Sequence, residues 1–511
     1  MQLRRSRPAI GVALAASIAG AGCSKGDDLK FSPGFLLGTA IAGFQAEMGC
    51  PTIPAATCED RGSDWYAWIT TPKLLADPGT YLQGDPPSSG PGFYELYPQD
   101  LDRAATGLHS NALRTSLEWS RIFPHSTVGI EGYDALRAAA NPDALAWYHA
   151  LFAAMRARKL APLVTLIHYT LPAWIHDAAG CHQDLAHCSP RGWVDREATV
   201  REAAKYAGFA AREFGAEVDL WATLNEPFTA VILAGYLLPS ADRTNPPGVT
   251  LQWDAAKTAT LAMIEAHNRM ADAVHQNDTV SAGGGKAAQV GIVFNLEAVS
   301  PKDPKNPLDV EGAKSLEYVV DRVFLDGALK GDVDANFDGK VVHRDDLGGR
   351  TDFLGVNYYA RLIVPGLVKP LFPADAPVLT ANVLSMVQSF DVTGLSEVLE
   401  LTRRWGLPVT ITETGIRDED DKGVAAGWIA ESLVRTRRAM SAGIDVRGWF
   451  YWTLMDNYEW NHGMSARYGL YAVDTASPLK PRTARARAAG TLARIAQARE
   501  IPLDLVPPAL R

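Results

Sequence analysis

The sequence predicts an α/β fold: a single (β/α)8 TIM barrel with extended βα loops. Three observations lead there. Eight short apolar runs recur along the 511 residues, helical stretches lie between them, and polar residues collect just after the runs. Several runs are apolar without alternation, LAPLVTLI at 160–167 and RGWFYWTL at 447–454 among them. Continuous apolarity suits strands buried on both faces. Alternation of β and α makes the sheet parallel, and eight units close it into a barrel.

Taken in order, strands are expected at 35–40, 111–117, 160–167, 218–224, 289–295, 352–358, 407–413 and 447–453. Helices are expected at 142–158, 197–214, 254–276, 312–329, 421–441 and 483–498, stretches rich in Ala, Leu, Arg and Glu. The long segments 233–253 and 360–392 are loops over the C-terminal ends of strands, the end where such barrels keep their chemistry. Residues 35–511 form one domain, and 23–34 are a short tether ahead of it.

Hydrophobic residues make up 47% and charged residues 21%, which excludes global disorder. Lys and Arg number 49 against 58 Asp and Glu, a net charge of −9. No basic stripe could offset phosphate, so no nucleic-acid partner is expected.

The N-terminus reads as an address. Arg4, Arg5 and Arg7 form a basic segment, and residues 9–21 are an apolar run too short to span a bilayer. Gly20, Ala21 and Gly22 then precede Cys23. This is the pattern of a bacterial lipoprotein signal over 1–22, with Cys23 as the lipidated residue, although Gly20 stands where Leu is usual. The alternative is an ordinary cleaved signal. Either way the chain is expected to be exported to the cell envelope, meeting a membrane only through that anchor. Without Cys23, Cys50, Cys58, Cys181 and Cys188 remain, an even number suited to an oxidising compartment. The near pairs Cys50–Cys58 and Cys181–Cys188 are the simplest of three connectivities.

Arg114, His168, Asn225–Glu226, Asn357–Tyr359, Glu413 and Trp452 all fall at strand ends. Glu226 and Glu413 follow apolar runs, where an idle carboxylate is rare. Two convergent Glu at a barrel mouth suit glycosidic bond cleavage.

These residues sit in motifs. FLLGTAIAGFQAEMG at 35–49, RTSLEWSRIFP at 114–124, LVTLIHYTLP at 163–172 and TLNEP at 223–227 come first. DFLGVNYY at 352–359, ITETG at 411–415 and WTLMDNYEWNHGMSARYGLYAVD at 452–474 follow. In this combination and order the chain resembles glycoside hydrolase family 1, the β-glucosidase and β-galactosidase family, from about residue 35 to about 498. SDWYAWI at 63–69 and GDPPSSGPGFYELY at 84–97 look most like its archaeal-type branch.

The resemblance implies a retaining, exo-acting β-glycosidase that needs no cofactor for catalysis and takes a β-linked glycoside as substrate. Glu226 is implied as acid/base and Glu413 as nucleophile, about 5–5.5 Å apart. Arg114 and Tyr359 match the residues that hold the nucleophile, and Asn225 the one that bonds the sugar 2-hydroxyl. Gln45, His168, Asn225, Asn357, Trp452, Glu459 and Trp460 match the sugar pocket. Glu459 argues for unphosphorylated sugars, since a carboxylate repels a 6-phosphate. Two residues depart from the family: Thr414 replaces the usual Asn after the nucleophile, and Tyr169 replaces a frequent Trp. The same glycosyl-enzyme could pass to an acceptor, a transglycosidase reading. A non-catalytic sugar-binding lipoprotein is disfavoured because both carboxylates are kept.

DANFDGKVVHRD at 334–345 is a separate motif. Asp, Asn, Asp and Gly at its positions 1, 3, 5 and 6 give the D-x-[DN]-x-[DN]-G calcium-loop pattern. A structural calcium is expected on Asp334, Asn336, Asp338, the Lys340 carbonyl and Asp345.

Overall fold

A computed structural model of the protein describes residues 29–370 and 379–510. Its eight barrel strands are β1 (Leu36–Ala40), β2 (Ala112–Ser116), β3 (Ala161–Ile167), β4 (Leu220–Asn225), β5 (Gln289–Asn295), β6 (Phe353–Tyr358), β7 (Val409–Thr414) and β8 (Val446–Trp452). Each pairs in parallel with its sequence neighbours, and β8 pairs with β1 to close the barrel. Every expected strand is present within two residues of its expected ends.

The helices that cover the barrel include α1 (Phe93–Asp102), α2 (Pro142–Ala157), α3 (Arg196–Phe214), α4 (Trp253–Asn277), α5 (Pro307–Glu317), α6 (Val323–Lys330), α7 (Leu395–Leu401), α8 (Val424–Ser441) and α9 (Ala486–Ala498). The helix expected from 312 starts earlier because Asn306 caps it, accepting from the Leu308 amide, with Pro307 in the first turn. A single turn of wider helix at Tyr318–Arg322 joins α5 to α6. A small sheet of Ala298–Pro301, Arg361–Val364 and Val387–Ser389 lies outside the barrel, in the loops after β5 and β6.

The residues between strands and helices form one large core. A second, inner cluster lines the barrel: Ala40, Ala112, Leu163, Ala222, Val293, Phe450 and Trp452. Alanine at three of those positions lets larger residues fill the interior. The tether expected over 23–34 is in part fold. The Phe31 amide donates to the Arg499 carbonyl at 2.8 Å, the Ile501 amide to the Leu29 carbonyl at 3.0 Å, and Phe31 is buried. The segment from Leu29 therefore docks beside the exit of α9. The predicted signal over 1–22 and Cys23 lie outside the described residues. Among the described residues, no helix is long and apolar enough to cross a membrane.

Candidate active site

Parallel register sets the site. Ala40 on β1 lies level with Arg114 on β2 and Trp452 on β8; Glu413 on β7 lies level with Asn357 on β6, and Asn357 with Asn295 on β5. All these residues are at C-terminal strand ends, so one mouth collects them.

Glu413 is buried between two donors. Arg114 Nη1 pairs with its Oε1, and the Tyr359 hydroxyl donates to its Oε2 at 2.6 Å. Burial pushes the Glu413 carboxyl up to about 7; Arg114 and Tyr359 pull against that rise, and the nearby Glu226 adds to it. Gly415 follows closely, and a Cβ there would meet the Trp452 carbonyl oxygen at 2.3 Å, so the turn beyond the nucleophile position requires glycine. Thr414 is equally built in: its hydroxyl accepts from the Trp428 indole N–H at 2.9 Å.

Glu226 ends β4 in the left-handed region, φ 42° and ψ 53°, a conformation costly for a residue with a Cβ. Its backbone turns there into an irregular helix at Pro227–Leu237. Asn357 Nδ2 donates to its Oε1 at 2.7 Å, and the Tyr169 hydroxyl donates to its Oε2 at 2.6 Å. The departure from the family at 169 thus places a phenol directly on this carboxyl. Asn357 was expected to face sugar. Instead its Nδ2 serves Glu226 and Asn225 and its Oδ1 accepts from Thr412, so it holds other side chains.

The other residues that the sequence points to for a sugar pocket gather at the same mouth. Asn225 Oδ1 accepts from Arg114 Nη2 at 2.7 Å, which leaves its Nδ2 to donate to His168 Nε2 at 3.1 Å. His168 is buried and held well below the usual imidazole range by desolvation, then by Arg114, so it is neutral. With Nε2 accepting, Nδ1 carries the proton, and it is buried with no protein acceptor. Gln45 Nε2 donates to Glu459 Oε2 at 3.1 Å, while Gln45 Oε1 is buried with no donor. Unsatisfied buried polar atoms of this kind are what a hydroxyl-rich ligand completes. Trp452 Nε1 also donates to Glu459 Oε2, at 3.3 Å. Trp460 stacks on Phe44, with centroids 6.1 Å apart and planes 6° from parallel, and presents the same system to His168 and Tyr169.

Two residues of this cavity carry no motif signal. Arg243, on the long loop after β4, approaches Glu459 Oε1 at 3.6 Å and lies over the Tyr169 ring. Glu297, two residues past β5, is a fourth buried carboxyl lining the cavity, beside Glu226, Glu413 and Glu459. Only their loops are marked by sequence, because no periodicity fixes where a loop side chain ends up.

The calcium-pattern loop folds but does not gather its expected ligands. Asp332–Val333 pair antiparallel with Val342–His343 across it. Asp334 is buried and accepts from the amides of Asn336, Asp338 and Gly339 and from the Tyr318 hydroxyl. Asp338 pairs with Lys340 Nζ at 3.0 Å, and Asp345 is fully exposed beside His343. Among the described residues, no group of three or more His, Cys, Asp or Glu is placed to hold a metal. Turn amides and a lysine take the oxygens that the pattern reserves for an ion. The cysteines do pair as near neighbours, Cys50–Cys58 at 1.99 Å and Cys181–Cys188 at 2.04 Å.

Comparison with known proteins agrees with this geometry. The family model for glycosyl hydrolase family 1 matches residues 28–495. A β-galactosidase of Pyrococcus woesei is 34% identical over 490 residues, covering 87% of this chain and 93% of the relative. A 6-phospho-β-galactosidase of Streptococcus mutans is 27% identical, covering 86% and 93%. The crystal structure of the β-glycosidase from the hyperthermophile Thermosphaera aggregans superimposes with a TM-score of 0.78 at 28% identity, over 93% of this chain and 98% of that one. By fold, site and sequence, this chain belongs to glycosyl hydrolase family 1 and is a retaining β-glycosidase.

Proposed function

We propose that the chain removes single unphosphorylated sugars, of the glucose or galactose type, from the non-reducing ends of β-glycosides, with Glu413 as nucleophile and Glu226 as acid/base. The observation that carries the assignment is the asymmetry of donors. Glu413 meets a cation and a phenol, which favour a charged carboxylate poised for attack. Glu226 meets only neutral donors, Asn357 and Tyr169. Glu413 attacks the anomeric carbon as Glu226 gives its proton to the leaving oxygen. Water, deprotonated by Glu226, then attacks the glycosyl-enzyme and frees Glu413. Glu459, tied to Gln45 and Trp452, presents a carboxylate on the pocket wall where a 6-phosphate would be repelled.

The test is a panel of nitrophenyl α- and β-glycosides with Glu226→Gln and Glu413→Gln. Only β-glycosides are expected to be cleaved, with a loss of about 10²–10⁴ in Glu226→Gln and no measurable turnover in Glu413→Gln. Azide should separate the roles, giving a β-glycosyl azide with Glu226→Ala and an α-glycosyl azide with Glu413→Gly. Folded wild type that cleaves no β-glycoside refutes the reading.

We also propose export with a lipid on Cys23. The basic and apolar stretches before that cysteine support it, as do two disulfides in the folded domain. Palmitate labelling that persists in Cys23→Ser would exclude it.

A further inference from the structure

The cavity of about 530 Å³ is divided in character. Its polar side chains come mainly from residues at or just beyond the strand ends, Glu226, Tyr359, Glu413 and Glu459 among them, with Asp242 and Arg243 from the loop after β4. The loops after β4, β5 and β6 also contribute an extended apolar surface. Leu233 and Leu237 enter from the irregular helix after Glu226, Leu316 and Val320 from the end of α5 and the turn beyond it, Phe337 from the 334–345 loop, and Leu362 from the strand after β6. Phe337 is held edge-on by Phe228 at 5.9 Å. At the rim, Leu384 and Phe390 are 73% and 55% exposed. Apolar side chains thus predominate on this side from the acid/base to the surface.

A second sugar fits such a wall badly. Over most of it the hydroxyls would leave water and find few partners, a cost per group. A hydrocarbon gains by the same transfer, in proportion to the area it buries. Among the polar groups on this side, Glu297 and Asn295 form a buried anchor. Glu297 accepts from Asn295 Nδ2 at 3.0 Å, and Asn295 Oδ1 is buried with no donor. Burial, then the charge of Glu226, pushes the Glu297 carboxyl up to about 8. At neutral pH it therefore keeps a proton it can donate.

Resting on the β-glycosidase reading, we infer that the leaving-group side of this site is built for a bulky hydrophobic alcohol, alkyl or polycyclic, rather than for a second sugar. The natural substrate is then an amphiphilic glycoside. Hydrolysis splits the bond between the anomeric carbon and the glycosidic oxygen, the alcohol leaves with the proton from Glu226, and water supplies the new hydroxyl.

The test is kcat/KM for a series of n-alkyl β-glycosides of the preferred sugar, from methyl to octyl, beside the matching β-linked disaccharide. Alkyl leaving groups differ little in acidity, so the series reports binding of the chain. We expect kcat/KM to rise about twofold or more per CH₂ until the chamber is filled, because a fully buried CH₂ could give up to about fourfold. The disaccharide should fall below the octyl glycoside. Leu316→Gln and Val320→Asn should each lose at least tenfold more on octyl than on methyl glycoside. Octyl 1-thioglycoside should inhibit at least tenfold more tightly than methyl 1-thioglycoside, a readout independent of turnover. A flat series with nitrophenyl β-glycosides still cleaved overturns this inference and leaves the hydrolase reading standing. Failure to cleave any β-glycoside overturns both.

Discussion

Two groups of buried carboxyls sit within the same half of the barrel, and they differ in what they face. Glu226 and Glu413 look into the cavity. Glu47, Asp60 and Glu118 lie behind its wall and are sealed. Glu118 accepts from the Phe44 amide at 3.0 Å, the Ser116 hydroxyl at 2.9 Å and the Thr170 hydroxyl at 2.7 Å. Glu47 pairs with Arg121 at 2.9 Å, and Asp60 with Ser120. Burial is the first cause of a raised pKa in both groups: Glu413 and Glu47 to about 7, Glu118 to about 8. A perturbed carboxyl is therefore not by itself a catalytic one. The sealed group stitches the segment carrying Gln45 to the ends of β2 and β3, and so fixes the pocket that the open group uses.

The largest effect should come from taking a donor away from the open pair. Tyr359→Phe removes one of the two groups that favour charged Glu413, leaving Arg114 alone. We expect kcat/KM to fall about 10²–10³-fold, the scale of losing one preorganised donor. The sign of the pH shift follows from the cause. The donor stabilises the carboxylate, so its loss raises the Glu413 pKa, and the acid limb of the rate profile should move to higher pH. An acid limb that stays in place, or moves down, would mean that Tyr359 acts on substrate alone.

Tyr169→Phe should have a smaller and more selective effect. It removes the phenol from Glu226 Oε2 but leaves Asn357 on Oε1. Poor leaving groups need the proton that Glu226 delivers, whereas good ones do not. We expect a fall of about tenfold on alkyl β-glycosides, less than the full general-acid contribution of about 10²–10⁴ because Glu226 itself is kept, and under about twofold on the 2,4-dinitrophenyl glycoside. Equal loss on both substrates would point to general damage of the pocket.

How much of this was legible follows the same division. The barrel was, because eight strands buried on both faces leave unbroken apolar runs that water would not tolerate elsewhere. The Glu226, Glu413, Arg114 and Tyr359 constellation was, because each residue ends such a run and lies in a fixed motif. That Asn357 bonds Glu226 was not legible, since a strand-end Asn looks the same whether it faces a sugar, a carboxyl or both. Arg243 and Glu297 were hidden in loops, and the Glu118 cluster was hidden because its partners, Phe44 and Thr170, are distant in sequence. The calcium pattern was legible as a turn, but a pattern of oxygens does not say which of them the chain's own amides occupy.

The sealed group should register as stability rather than rate. Glu118 has its pKa raised to about 8 on folding, so the folded chain binds a proton that the unfolded chain has released at neutral pH. That contribution is complete below the ordinary Glu value and is lost as pH climbs toward 8. We expect Tm to drop by roughly 2–4 °C between about pH 6 and pH 8.5, a small shift because a chain of this size melts with a large entropy. Glu118→Gln should flatten the slope, since a neutral amide no longer titrates. A slope unchanged in Glu118→Gln would assign the effect to Glu47 or to groups elsewhere.

The smallest effect should come from the 334–345 loop. We propose that calcium closes this loop on the strength of its sequence spacing, by drawing Asp345 in from solvent and freeing Asp338 from Lys340. Both movements cost part of the binding energy, and Asp334 already spends its oxygens on three amides and Tyr318. Affinity is therefore expected in the weak range of extracellular modules, a Kd of about 10⁻⁴–10⁻³ M. Millimolar calcium should then raise Tm by only about 1 °C or so through mass action. The loop also carries Phe337 to the apolar wall of the cavity. The same calcium should lower KM for the octyl glycoside more than for the methyl one. Melts and KM values that are identical with calcium and with chelator would remove calcium from the loop and leave Asp334 as an ordinary turn hub.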